Sequence, residues 1–218
     1  MSRIIYLHGF ASSPGSKKAR FFLERFGELG IGLEIPDLAE GDFAHLTISG
    51  QLKVVERASR GEPVTLIGSS MGGYLAALYA ARHTEVEKVV LLAPAFALLK
   101  LWRGNRGVAT MEQWRNSGSL EVFHYGEGRP APLGYQLIED AAQYEDYPDV
   151  EQPVLIFHGK NDASVPAEYS VSFAQQHPQT QLHLLESDHE LLNVLDTMWM
   201  ETEAFLFGRQ DAGGSTRS

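Results

Sequence analysis

The chain has 218 residues, of which 44% are hydrophobic and 21% charged. That is globular composition, sufficient for one α/β-sized core and unlike a chain disordered throughout. Its 28 acidic and 18 basic residues leave a formal net charge of −10, a poor match to nucleic-acid phosphates or an anionic membrane surface. Cysteine is absent, which excludes disulfides, thiolate metal sites and a Cys nucleophile.

The first apolar run, Ile4-Ile5-Tyr6-Leu7, stops at His8-Gly9 and is too short for a signal peptide. No apolar stretch approaches the roughly 20 residues of a membrane span, so a cytoplasmic protein is expected. The run itself reads as a strand buried on both faces. Ser16 is placed as an N-cap, with Phe22, Phe26 and Leu29 following at helical spacing. Ile31 to Ile35 is a short strand ended by Pro36, and Leu46 to Ala58 a helix with Leu52 and Val55 on one face. Val64 to Ile67 is a strand, Ser70 to Arg82 a helix, and Val89 to Leu92 a strand. Val154 to Phe157 and Leu182 to Leu185 are further strands, separated by a helix over Ala167 to Gln176. Leu191, Leu195, Met198, Thr202 and Phe205 place one stripe along a closing helix.

Six strands alternating with helices predict a mostly parallel sheet covered on both faces. Residues 95–150 break the rhythm. A structureless loop of that length is improbable, so a small helical insertion over one edge of the sheet is expected. The expected domain is 1–207, with residues 208–218 a disordered Gly- and Ser-rich tail.

The strongest local signal is Gly68-Ser69-Ser70-Met71-Gly72, a G-x-S-x-G pentapeptide between a buried strand and an amphipathic helix. That is the setting of a nucleophile elbow, which presents Ser70 on a strained turn at a helix N-terminus, where the helix dipole favours an oxyanion. A hydroxyl needs a base, here a His oriented by a carboxylate. Two loops after later strands supply them: Asp162 in His158-Gly159-Lys160-Asn161-Asp162, and His189 in Ser187-Asp188-His189-Glu190, at the start of the closing helix. Asp188 and Glu186 are rival acids, but both share the short stretch that carries His189. His158 reads as structural, and His8 as a brace for its own loop. The backbone N–H groups of Met71 and Phe10 are the expected oxyanion donors, with the Phe10 ring lining the acyl pocket.

Tyr6-Leu7-His8-Gly9-Phe10, Ser12-Ser13-Pro14, Ser16-Lys17-Lys18-Ala19 and Gly68-Ser69-Ser70-Met71-Gly72-Gly73-Tyr74 together resemble the α/β-hydrolase superfamily, and within it the small bacterial YqiA/YcfP-type esterases. The resemblance spans about residues 3 to 207 and implies esterase activity through Ser70, Asp162 and His189. It also implies a version of the fold lacking the first two of eight strands. No family pattern is recognised over 95–150.

The expected reaction is hydrolysis of small carboxylic esters or thioesters through an acyl-enzyme, with no metal or organic cofactor. An acyltransferase or a C–C hydrolase would use the same triad, because fold and triad do not fix substrate. A silent binding protein on this fold is the remaining rival. The insertion offers Phe96, Leu98, Leu99, Leu101, Trp102 and Trp114, with Trp102 and Trp114 expected to line the pocket, and acyl chains of about two to six carbons to be preferred.

Overall fold

In the strands of the main sheet, alternate side chains feed two separate cores, and this decides the layering. From β1 (Arg3–Leu7), Ile5 and Leu7 join one core, and Ile4 and Tyr6 the other. β4 (Val86–Leu92) divides in the same way, with Val89 and Leu91 against Val90 and Leu92. These strands read as unbroken apolar runs because helices cover both faces. The structure, a computed structural model, describes residues 2–208. Met1 and residues 209–218, and with them the expected tail beyond Gly208, lie outside the described residues.

The helices follow from their own stripes. α1 (Lys17–Glu28) starts where the Ser16 hydroxyl accepts the Ala19 N–H, and buries Ala19, Phe22 and Phe26. Leu29 falls past its end and is exposed. After the two-residue β2 (Leu33–Glu34), α2 (Ile48–Ser59) starts at Thr47, whose hydroxyl accepts the Gly50 N–H. β3 (Val64–Ser69) leads into α3 (Met71–Ala80), which is buried all round and runs through the middle of the first core. β7 (Val154–Gly159), α7 (Glu168–Gln176), β8 (Thr180–Leu185) and α8 (Leu195–Phe207) follow beyond the insertion.

The sheet order is β2-β1-β3-β4-β7-β8, parallel at every pairing. α1 and α8 supply the second core with Phe22, Phe26, Met198 and Trp199, while α2, α3 and α7 cover the other face. With every strand pointing the same way, the loops after β1, β3, β7 and β8 emerge on one edge, where sites form in open α/β sheets. Among the described residues, no helix is long and apolar enough to cross a membrane.

Two expectations are corrected. The insertion is not purely helical. α4 (Leu98–Arg106) and α5 (Val108–Ser117) are followed by an antiparallel hairpin, β5 (Ser119–His124) with β6 (Arg129–Gly134), and by α6 (Gln136–Ala141). Pro130 and Pro132 are tolerated because β6 has a partner on one side only. The closing helix also begins later than expected. Leu191 is left-handed, with φ of 59°, and the Asp188 carboxylate accepts the N–H groups of Glu190 and Leu191 at 2.9 and 3.3 Å. His189 therefore sits on a tight turn ahead of a 3-10 segment, and α8 begins only at Leu195.

Candidate active site

Ser70 has φ of 55° and ψ of −119°, a conformation costly for any residue with a Cβ. Three N–H groups hold it there: the Ser70 carbonyl accepts from Gly73, Tyr74 and Ala95 at 2.9, 3.1 and 3.0 Å. Its own N–H donates to the Leu92 carbonyl at 2.8 Å. A side chain at Gly72 would collide with the Leu7 and His8 carbonyl oxygens, and one at Gly68 with Gly72 itself. The two glycines thus let strand, helix and the loop after β1 meet closely enough to expose the Ser70 hydroxyl.

Ser70 Oγ lies 3.1 Å from Nε2 of His189, and His189 Nδ1 lies 2.7 Å from Oδ2 of Asp162. The three residues come from the ends of β3, β7 and β8. The two later loops are laced together: Lys160 N–H donates to the Leu185 carbonyl at 2.8 Å and Asn161 N–H to Ser187 at 3.0 Å. Lys18, at the start of α1, donates to the His189 carbonyl at 3.4 Å. Burial pushes its pKa down, against the charges of Glu190, Asp162 and Asp188.

Asp162 has no exposed side-chain surface. Burial alone would raise its pKa. Hydrogen bonds from His158 and His189, the charge of His189 and the Val165 N–H outweigh that, holding the carboxyl well below the usual carboxylate range. Its Oδ1 accepts the N–H groups of Ser164 and Val165, both at 2.8 Å. The rival acids are occupied elsewhere. Glu186 pairs with Lys160 at 2.5 Å in an exposed contact, and Asp188 caps its own turn.

The loop after β1 runs against the elbow. A Cβ on Gly9 would stand 3.4 Å from the Ser70 Cβ. His8 braces this loop: Nδ1–H donates to the Gly9 carbonyl at 3.0 Å, and Nε2 accepts the Leu38 N–H at 3.3 Å. Burial lowers the His8 pKa more than the Gly9 carbonyl and Asp37 raise it, favouring the neutral ring that can both donate and accept. Phe10 and Met71 line the cleft beside Ser70. Among the described residues, neither backbone N–H has a protein acceptor.

The model of the Uncharacterised protein family UPF0227 matches residues 3–206. The chain belongs to that family. It is 23% identical over 223 aligned residues to the AB hydrolase superfamily protein YisY of Bacillus subtilis (strain 168), covering 82% of this chain and 81% of that one. Est1E of Butyrivibrio proteoclasticus with ferulic acid bound superposes with a TM-score of 0.80 at 20% identity, over 94% of this chain and 88% of that one. The monoacylglycerol lipase of Paleococcus ferrophilus gives 0.75 at 16%, over 93% and 92%. This UPF0227 member therefore has the α/β-hydrolase fold.

The cleft above Ser70 has a volume of about 340 Å³. Leu98, Leu101, Trp102, Asn105 and Arg106 of α4 form one wall, and Ser164 and Val165 from the Asp162 loop another. Asn105 ties the two walls, donating to the Ser164 carbonyl at 3.0 Å. Trp102 thus lines the cleft. Trp114 does not, and its expected role is corrected. It is completely buried behind Trp102, its ring 5.2 Å away, and its indole N–H donates to the Leu133 carbonyl at 2.9 Å. Phe96 is likewise spent on packing, stacked on Phe173 at 4.5 Å.

Sequence reasoning missed two residues. From sequence, His158 reads as structural. It is fully buried, yet its Nε2 lies 2.9 Å from the Val165 carbonyl and 3.2 Å from Asp162 Oδ2, while Nδ1 meets the Ser170 hydroxyl at 2.7 Å. The spacing of four residues from Asp162 was the available signal. Arg106 was not singled out at all.

Proposed function

We propose that this protein is a serine hydrolase of small carboxylic esters or thioesters. Ser70 attacks the substrate carbonyl while His189 Nε2 takes the hydroxyl proton. The Phe10 and Met71 N–H groups stabilise the resulting oxyanion. His189 then protonates the leaving group, an acyl-Ser70 forms, and water activated by the same imidazole releases the acid. Asp162 keeps the proton of the resting ring on Nδ1 and stabilises the imidazolium without itself becoming protonated.

The observation that carries this reading is the unbroken chain of contacts from Ser70 Oγ through His189 to Asp162, at 3.1 and 2.7 Å. It rises from a strained elbow into a largely apolar cleft. One structural neighbour, the Paleococcus ferrophilus protein, is a monoacylglycerol lipase, in keeping with ester chemistry. A cleft of about 340 Å³ suits acyl chains of about two to six carbons. The test is a panel of p-nitrophenyl and acyl-CoA esters of graded length, assayed with wild type and Ser70→Ala. Turnover that disappears with the hydroxyl supports the proposal. Turnover that survives in Ser70→Ala overturns it, as does none at all on any ester.

A further inference from the structure

Arg106 ends α4 and lines the same cleft as Ser70 and His189. Its guanidinium carbon lies 4.6 Å from the centroid of the Trp102 ring. That ring is fixed in turn by edge contact with Phe10 at 5.1 Å and by Trp114 at 5.2 Å. Arg25 pairs with Asp196, Arg57 with Glu40 and Arg82 with Glu145, and the other described arginines without a carboxylate, Arg20, Arg60, Arg103 and Arg115, are exposed to water. Among the described residues, Arg106 has neither a carboxylate nor any hydrogen-bond acceptor, although it is half-withdrawn from water. No Asp or Glu lines the cleft. In a chain of net charge −10, the cleft wall carries a cation with its donors unspent.

A guanidinium left without partners in a partly dry place is costly. Stacked on an indole, its face is covered but its edges stay free, and that planar fork matches the paired oxygens of a carboxylate or phosphate. Its position along α4 is equally informative. Ala95 donates to the Ser70 carbonyl at 3.0 Å, so α4 begins beside the nucleophile. Leu98, Leu101 and Trp102 follow along the cleft, and Arg106 comes last. Eight residues of helix separate Leu98 from Arg106, a rise of about 12 Å. An acyl chain leaving Ser70 along this face meets apolar side chains first and a cation at the end.

We propose that Arg106 forms a subsite for an anionic oxygen group, a carboxylate or a phosphate, at the end of the substrate's acyl chain remote from the scissile carbonyl. The substrate class is then an ω-anionic acyl ester or thioester. This rests on the hydrolase reading above.

The test compares p-nitrophenyl hexanoate, mono-p-nitrophenyl adipate and p-nitrophenyl 5-phosphonopentanoate. It uses wild type, Arg106→Gln and Arg106→Lys at low ionic strength. In Arg106→Gln, kcat/KM for an anionic ester is expected to fall at least about tenfold further than for hexanoate, with Arg106→Lys between. The larger loss between the adipyl and phosphono esters tells carboxylate from phosphate. Equal losses on all three esters would overturn the subsite, leaving Arg106 as a helix-end cation. Adipate and pentylphosphonate binding, measured by calorimetry on wild type and Arg106→Gln, separates this from the reaction itself. Binding lost with the guanidinium supports the subsite even if no ester is hydrolysed. The absence of binding to wild type at millimolar ligand overturns it even if hexanoate is turned over.

Discussion

Asp162 Oδ2, 2.7 Å from Nδ1 of His189, also lies 3.2 Å from Nε2 of His158, whose hydrogen bond goes to the Val165 carbonyl at 2.9 Å. His158 cannot swing away, because Ser170 holds its other nitrogen at 2.7 Å and nothing of the ring is exposed. It is therefore expected to act as a positioning residue, holding the Val165 loop and the Asp162 carboxylate against His189. His158→Ala is expected to lower kcat by about 10- to 100-fold with little change in KM. His158→Gln, which can keep a donor near the Nε2 position, should recover part of the loss. An unchanged kcat in a variant that merely melts earlier would reduce His158 to a packing role.

The depressed pKa of Asp162 links the site to stability. A carboxylate whose folded-state pKa lies below its unfolded value of about 4 stabilises the fold above that pH. The contribution fades as pH falls toward the folded value. The stability gap between wild type and Asp162→Asn should therefore narrow between about pH 5 and pH 3. Urea unfolding at graded pH reads it, and a constant gap would contradict the assignment. At neutral pH the same variant should lose about 10⁴ in kcat, with Asp188→Asn and Glu186→Gln losing less than about tenfold.

Gly159 ends β7 directly beneath the turn that carries His189. A side chain there would collide with the carbonyl oxygens of Ser187 and Asp188, which are backbone and cannot give way cheaply. Gly159→Ala should move His189 away from Ser70, lower kcat/KM by more than about tenfold and reduce the melting temperature. Gly104, inside α4, has open space around its missing Cβ. Gly104→Ala should stabilise the fold by about 0.5–1 kcal/mol. Thermal melts and esterase assays of the two variants decide both points, and a neutral Gly159→Ala would count against a tightly laced pair of loops.

The four inner strands β1, β3, β4 and β7 were legible because burial on both faces leaves apolar runs, as in Val89-Val90-Leu91-Leu92, while the half-buried edge strands β2 and β8 show only short β-forming stretches. Ser70, Asp162 and His189 were legible because each lies in a loop directly after a stretch that reads as a strand. The hairpin in the insertion was not. Its buried face is marked only by Val122, His124, Ala131 and Leu133, and prolines at 130 and 132 argue against a strand unless it lies at an edge. The closing helix was started too early, since Leu191 fits the apolar stripe while its left-handed backbone lies outside any helix. Arg106 escaped notice because a lone Arg near the end of a helix looks like a dipole partner. What makes it unusual, a cleft without a carboxylate, exists only in three dimensions.

Trp102 and Trp114 should part company experimentally. Trp102→Ala opens the cleft and should shift the optimum of kcat/KM toward longer acyl chains. Trp114→Ala leaves a cavity in the core of the insertion and an unpaired Leu133 carbonyl. It should cost about 3–5 kcal/mol in stability, with the chain-length profile of the surviving fold unaltered. The two profiles, measured from acetate to dodecanoate, check this; identical shifts would mean that both rings shape the acyl site.

Reaction with a fluorophosphonate probe tests most directly whether Ser70, His189 and Asp162 act together. Intact-mass and peptide spectrometry should find one adduct, on Ser70, in wild-type protein. It should be absent in Ser70→Ala and form at least about a hundredfold more slowly in His189→Ala. An adduct on any other serine, or equal labelling rates in wild type and His189→Ala, would contradict a nucleophile activated by this imidazole.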